Sequence, residues 1–506
     1  MHLMSEVVTL LLAGMLLVPA SATERLVTGG IVRGEVLPDG GTIFRSIPYA
    51  RPPVGDLRWK PPVQVERWHG VRDTTRPGPP CIQRSYGWNA ADAAAGREDC
   101  LYLSVHSPAH APTDRLPVMV FLHGGANRAG SGSGFAESSP VKYNVVLVTM
   151  QYRLGVFGFI SLPELTAEAP EHASGNYGLL DQIAALKWVQ ANIASFGGDP
   201  NNVTFFGHSA GAQDVGLLML SPLARGLFQK AIMQSGTPGF GVPPRSLSEN
   251  EKIGRDLARL MDAPDGPDGL KALRAASGND LLNATDKLLP SENVDPSFIW
   301  MQAVVDGWVL PRAPVEILAT GGQAPVPLIV GNSAREFTVE GARVAARQWI
   351  ADNFGANADR ALASYGLKSG EPVPEDSLLG SIVDQISTDV VFRCPANWVA
   401  ERQLALTPKV WRYQLDVAKP GLPQPATHGS ELPFVFDSPP PNAGHADWPP
   451  LQVYWTNFAR SGDPNGSGLP EWSQMGAQKT FMEFTAQGPR VGNDLRGAVC
   501  GLVSNP

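Results

Sequence analysis

Cysteine is scarce in this chain: four residues, Cys81, Cys100, Cys394 and Cys500, among 506. None stands in a C-x-x-C pair, which argues against a zinc ribbon and against a cysteine-dense scaffold. Basic charge is scarce as well. Forty Lys and Arg face 48 Asp and Glu, for a net charge of -8, and a nucleic-acid surface needs clustered cations. There is no long like-charge run and no internal repeat. Val7 to Val18, about a dozen residues, is too short to span a bilayer comfortably, and no other stretch is apolar enough to do so. The glycine-rich "GSGSG" from Gly130 lacks the G-K-[ST] ending of a phosphate loop and does not fit G-x-G-x-x-G. His106 and His110 have metal-like spacing but lie beside prolines without further ligands, so neither a metal nor a cofactor is expected.

With 43% hydrophobic residues, a large buried core can form, and the composition has no disordered signature. Gly 53 and Pro 46 make up roughly a fifth of the chain and call for many loops. Val7–Val18 is followed by the small residues Ala20-Ser21-Ala22, so residues 1–22 read as a secretory signal peptide, although the leading segment has no Lys or Arg and carries Glu6. Export, to the medium or a periplasm, would let the four cysteines pair as two disulfides.

The rest, 23–506, reads as one domain. An antiparallel, glycine-punctuated start ("ERLVTGGIVRGEVLPDGGTIFRSIPYA") precedes continuous apolar runs at Val118–Leu122 and in "NVVLVTMQYRL", which look like buried parallel strands. "GLLDQIAALKWVQANIASF" has helical spacing and stops at Gly197-Gly198. "NVTFFG", "GAQDVGLLMLSP" and "FQKAIMQSG" then read strand, helix, strand. Residues from about 240 to 310 look looser and Pro-rich, as a cap or gorge wall would be, before "PVPLIVGNS" and "KVWRYQLDV" return to strand character. Such alternation predicts an α/β fold, a large mainly parallel sheet flanked by helices, with inserted loops and helices forming a gorge.

The most informative stretch is "VTFFGHSAGAQ". Gly207-x-Ser209-x-Gly211 between a strand and a helix is the nucleophile elbow of an α/β hydrolase. The glycines permit a sharp turn that lifts the serine oxygen clear of the sheet. The helix behind it aims backbone N–H groups at a developing oxyanion. Such a serine needs a histidine base, and the base needs an orienting acid, in the chain order Ser, acid, His. Only His428 and His445 follow Ser209 in the chain, and His428, just after a strand, is the better placed. Glu336, after "PLIVGNS", is the best acid; Asp306 and Asp389 are weaker competitors. Activity should therefore fall as His428 becomes protonated, near neutrality for an ordinary imidazole.

"FGGDPNNVTFFGHSAG", "EDCLYLSVHSP", "GIVRGEVLPDGGTIFRSIPYARPPVGDLRW" and "GNYGLLDQIAALKWVQANI" together resemble the type-B carboxylesterases and cholinesterases over nearly the whole chain. The resemblance implies a serine esterase acting on small ester substrates without a cofactor. Ser209 would be the nucleophile, Glu336 the acid and His428 the base. The backbone amides of Gly125, Ala126 and Ala210 would form the oxyanion hole, with Ser235 and Glu431 as buried supporting groups. It also implies Cys81–Cys100 and Cys394–Cys500 disulfides and buried Arg58–Glu98 and Arg153–Asp181 ion pairs. Three departures bear on substrate. His208 stands where cholinesterases carry Glu. Trp88 matches their cation-binding tryptophan only loosely. Asn127 and Arg128 follow the oxyanion loop where an apolar residue is usual; both are candidate pocket residues, and Arg128 could attract an anionic substrate. The alternatives are a non-catalytic adhesion or binding module of this family and a specialised cholinesterase-like esterase.

Overall fold

The computed structural model describes residues 23–108, 112–239, 243–288, 301–338, 343–369, 371–419, 421–422, 425–438 and 448–503. The expected signal peptide, His110 and His445 lie outside the described residues.

Eleven strands form the central sheet. In chain order they are β1 (Glu35–Val36), β2 (Thr42–Pro48), β3 (Tyr102–Ser107), β4 (Leu116–Leu122), β5 (Val146–Met150), β6 (Gly198–His208), β7 (Lys230–Gln234), β8 (Leu328–Ser333), β9 (Val410–Leu415), β10 (Thr480–Thr485) and β11 (Gly488–Asn493). Across the sheet the order is β11-β10-β9-β8-β7-β6-β4-β5-β3-β2-β1. All pairings from β10 to β5 are parallel. Antiparallel pairs close both margins. Glu24–Val27 and Gly30–Arg33 pair as the expected antiparallel start in a small separate sheet.

The apolar runs become parallel strands because both their faces are covered. In β4, Val118, Val120 and Leu122 face one core cluster while Met119 and Phe121 face another. The first cluster is completed by α1 (Tyr177–Asn192) and α2 (Ala210–Leu220), the second by Leu451–Ser461 through Leu451, Tyr454, Trp455 and Phe458. Every residue of α2 is buried, as expected of a helix with apolar residues on all its faces, and the burial extends to its two polar residues, Gln213 and Asp214. Each large side chain buried in this way contributes ~1.5–3 kcal/mol.

Within the stretch expected to be loose, the described residues 243–288 are more regular than the sequence implies. Helices occupy Leu247–Leu260, Pro267–Ala275 and Gly278–Thr285. The first has a reciprocal cap between Ser246 and Glu249, a local S-x-x-E signal that the prolines masked.

Both expected disulfides are present. Cys81–Cys100 closes a segment of 19 residues and Cys394–Cys500 one of 106. In a chain-entropy account such links contribute ~3 and ~4.7 kcal/mol. The expected ion pairs form too, Arg58–Glu98 at 2.6 Å and Arg153–Asp181 at 2.7 Å.

Candidate active site

β6 runs into α2 with one residue between them. Ser209 takes φ 57°, ψ -127°, a region that costs a side-chain-bearing residue about 1–3 kcal/mol. The neighbours hold it there: Ser209 N–H donates to Gln234 O at 2.9 Å, and Gln213 N–H donates to Ser209 O at 2.9 Å. The flanking glycines are required by close approach. A Cβ on Gly207 would sit 2.5 Å from the carbonyl carbon of Gly211, and one on Gly211 would sit 2.2 Å from Leu122 O.

Three further loops leave the carboxyl ends of parallel strands and converge on this serine, where open α/β sheets place their ligands. His428, beyond β9, has Nε2 at 2.8 Å from Ser209 Oγ. Its Nδ1 lies 2.6 Å from Oε2 of Glu336, which follows β8. The backbone adds a second link, His428 N–H to Glu336 O at 2.8 Å. Glu336 Oε1 accepts from Ser333 N–H at 2.8 Å, and Glu336 N–H donates to Thr388 Oγ1 at 3.1 Å. Burial pushes the Glu336 carboxyl up, against hydrogen bonds from Ser235 and Ser333 and the charges of Arg393 and Arg412. Burial pushes the His428 imidazole down, with Glu431 opposing. The competing acids are engaged elsewhere. Asp306 accepts from the Trp308 and Leu310 amides. Asp389 is paired with Arg393 and Arg496 and accepts from the Tyr365 hydroxyl.

The loop after β4 supplies the other side. Gly125 (φ 110°), Ala126 (φ 56°) and Asn127 (φ 55°) are three consecutive left-handed residues. The amides of Gly125, Ala126 and, at the start of α2, Ala210 have no acceptor among the described residues. The Gly125 carbonyl is turned into its own loop, accepting from the amides of Arg128 and Ala129 at 3.1 and 3.0 Å. Ser235 Oγ donates to Glu431 Oε1 at 2.7 Å, beneath the histidine loop.

A cleft of about 910 Å³ opens over Ser209 and His428. Trp88 and Arg128 line it. Trp88 is 68% exposed, and the Arg128 guanidinium lies 4.8 Å over the Tyr86 ring. Asn127, expected on the pocket, is not part of its lining. Its side chain is buried and turned inward, donating to Asp214 Oδ1 at 3.1 Å and accepting from the Tyr152 hydroxyl at 3.3 Å. Carboxamide and carboxyl satisfy each other there, which an outward rotamer would forfeit. His208 lacks the acidic charge of a cholinesterase; burial holds its imidazole down at about 3.

Sequence reasoning missed Tyr86, Phe337, Thr338 and Leu432 in the lining. It also missed the buried Asp214, which Gln182 Nε2 contacts at 2.6 Å. Phe337 and Leu432 adjoin Glu336 and Glu431 in sequence, and that adjacency was the available signal. Asp214 gave none, being one of two polar residues, with Gln213, in an otherwise apolar helix.

The chain matches the carboxylesterase family model over residues 21–503. It is 36% identical over 468 residues to fumonisin B1 esterase of Sphingopyxis macrogoltabida, covering 88% of this chain and 83% of that one. It is 35% identical to human cocaine esterase, covering 93% and 88%. Among solved structures, a PNB esterase superposes with a TM-score of 0.82 at 31% identity, covering 95% and 99% of the two chains. A Geobacillus stearothermophilus carboxylesterase gives 0.79 at 32%, covering 95% and 100%.

Proposed function

We propose, for a chain that belongs to the carboxylesterase family and hydrolyses carboxylic esters, that Ser209, His428 and Glu336 carry the reaction through an acyl-serine intermediate. Ser209 Oγ attacks the ester carbonyl while its proton passes to His428 Nε2. The carbonyl oxygen becomes an oxyanion held by the amides of Gly125, Ala126 and Ala210. Collapse expels the alcohol, which takes the proton from His428 and leaves the acyl group on Ser209. A water molecule then attacks the acyl carbonyl, giving its proton to His428. The second collapse releases the acid and returns that proton to Ser209. Glu336 keeps the Nδ1–H tautomer in place and stabilises the imidazolium.

The observation that carries this reading is the unbroken contact from Ser209 Oγ through His428 to Glu336, at 2.8 and 2.6 Å. The same contact argues against the binding-module alternative, which has no use for a strained serine joined to a base. Steady-state turnover of p-nitrophenyl butyrate tests it. Ser209→Ala should melt like the wild type and lose on the order of 10⁴-fold or more in kcat, and Glu336→Gln roughly a hundredfold or more. A folded Ser209→Ala protein with wild-type kcat contradicts the assignment.

We further propose that residues 1–22 are removed on export and that the enzyme works outside the cytosol. The two disulfides support this. N-terminal sequencing of exported protein should begin near Thr23; an intact Met1 on that protein contradicts it.

A further inference from the structure

Two side chains absent from the catalytic steps join the two halves of the oxyanion hole. Resting on the assignment of Gly125, Ala126 and Ala210 as oxyanion donors, we propose that the Asp214 carboxyl and the Asn127 carboxamide form a strut that fixes the oxyanion loop against the nucleophile helix. Both are thereby positioning residues for transition-state stabilisation.

The loop needs such a support. Ala126 and Asn127 both hold positive φ immediately beside Gly125, and side-chain-bearing residues stay in that region only when their surroundings impose it. Asn127 is fully buried and tied on three sides. Its Nδ2 donates to Asp214 Oδ1 at 3.1 Å, its Oδ1 accepts from Tyr152 at 3.3 Å, and its carbonyl accepts from Gly155 N–H at 2.6 Å. The Tyr152 hydroxyl also donates to His123 O at 2.9 Å, at the other end of the same loop.

Asp214 is the one of these groups that belongs to α2. It lies one helical turn beyond Ala210, the donor that α2 supplies. The Asn127–Asp214 bond therefore spans from one set of amides to the other. Donors act when they sit roughly 2.7–3.1 Å from the oxyanion position and are held to about 0.5 Å of that geometry, and this bond sets their separation.

The surroundings of Asp214 suit a directional contact better than a charge pair. Its side-chain hydrogen bonds come from two carboxamides, Asn127 and Gln182, and among the described residues no Arg or Lys pairs with it. Burial without a cation pushes its pKa up to about 7. A buried carboxyl is costly to maintain, and an apolar pair would fill the same space; what it supplies here is a fixed acceptor for Asn127 Nδ2.

The conservative replacement is chemically provided for. Gln182 Oε1 has no hydrogen-bond partner among the described residues. In Asp214→Asn, a flipped Gln182 amide can accept from the new carboxamide, whose oxygen still receives Asn127 Nδ2.

Four variants, Ser209→Ala as blank, Asp214→Asn, Asp214→Leu and Asn127→Gly, are compared on p-nitrophenyl butyrate and with a trifluoromethyl ketone. That ketone adds to the serine and places an oxyanion in the hole. Glycine accepts positive φ freely, so Asn127→Gly removes the strut without forcing the backbone and reads the proposal even where Asp214→Leu fails to fold. Asn127→Gly and folded Asp214→Leu should lose about tenfold to a hundredfold in kcat, keep KM within about threefold, and weaken the ketone by a factor similar to the kcat loss. Asp214→Asn should stay within about threefold of wild type. A general loss of stability would lower the melting temperature without moving kcat and ketone affinity together in the folded protein. Wild-type kcat and ketone affinity in Asn127→Gly overturn the strut while an inactive Ser209→Ala upholds the triad. An active Ser209→Ala overturns both.

Discussion

His428 Nε2 and Ser209 Oγ lie 2.8 Å apart, although 219 residues separate them in the chain. Two strand ends of one parallel sheet bring them together.

This contact fixes the sign of the pH dependence. A protonated imidazole cannot take the serine proton, so kcat/KM must fall as pH drops through the His428 pKa. Burial lowers that pKa from its ordinary value of 6.5. The acid limb of a kcat/KM profile for p-nitrophenyl butyrate should therefore have its midpoint below 6.5, lower than the near-neutral limb expected from the sequence. A midpoint above that value contradicts the burial argument.

Arg128 gives a prediction about charge. Its guanidinium rests on the Tyr86 ring in the lining of the cleft, and a cation there would attract an ester that carries a carboxylate. The ratio of kcat/KM for the mono-p-nitrophenyl ester of succinic acid to that for p-nitrophenyl butyrate should drop about tenfold in Arg128→Gln, as loss of a charge-assisted hydrogen bond implies. An unchanged ratio removes Arg128 from the pocket's chemistry.

Much of this site was legible because its signals are local. The elbow is a contiguous strand, turn and helix. Glu336 and His428 each follow a recognisable strand, so chain order narrowed the choice before any distance was known. Asn127 was misjudged for the opposite reason. Its inward rotamer is decided by Asp214 and Tyr152, 87 and 25 residues away, and the pattern "HGGANR" carries no trace of either. The helices of residues 247–285 were read as loose because Pro and Gly density outweighed a capping signal only four residues long. The parallel centre of the sheet could be read from its continuous apolar runs. Its amino-terminal margin could be read as antiparallel from glycine-punctuated alternation through Thr42–Pro48; the other margin, Thr480–Thr485 with Gly488–Asn493, depends on pairing across the sheet, which periodicity does not report.

The inward turn of Asn127 bears on alcohol bulk. The Gly125 carbonyl is engaged within its own loop, and the Gly124 carbonyl lies 2.8 Å from His123 Nδ1. Neither the Asn127 side chain nor an unoccupied Gly125 carbonyl then crowds the alcohol side. The enzyme should hydrolyse linalyl acetate measurably above the Ser209→Ala blank, more slowly than a primary-alcohol acetate. Brisk turnover of the primary ester with none of the tertiary one would show that the cleft is closed on that side.

In the proposed cycle the acyl group passes through Ser209. Acid-quenched mass spectrometry during p-nitrophenyl butyrate turnover reads this directly. The expected result is a butyryl adduct on the peptide containing Ser209, absent in Ser209→Ala and accumulating when the acyl-enzyme's hydrolysis is slowed. An active enzyme whose butyryl group sits on a different residue in that quench contradicts it.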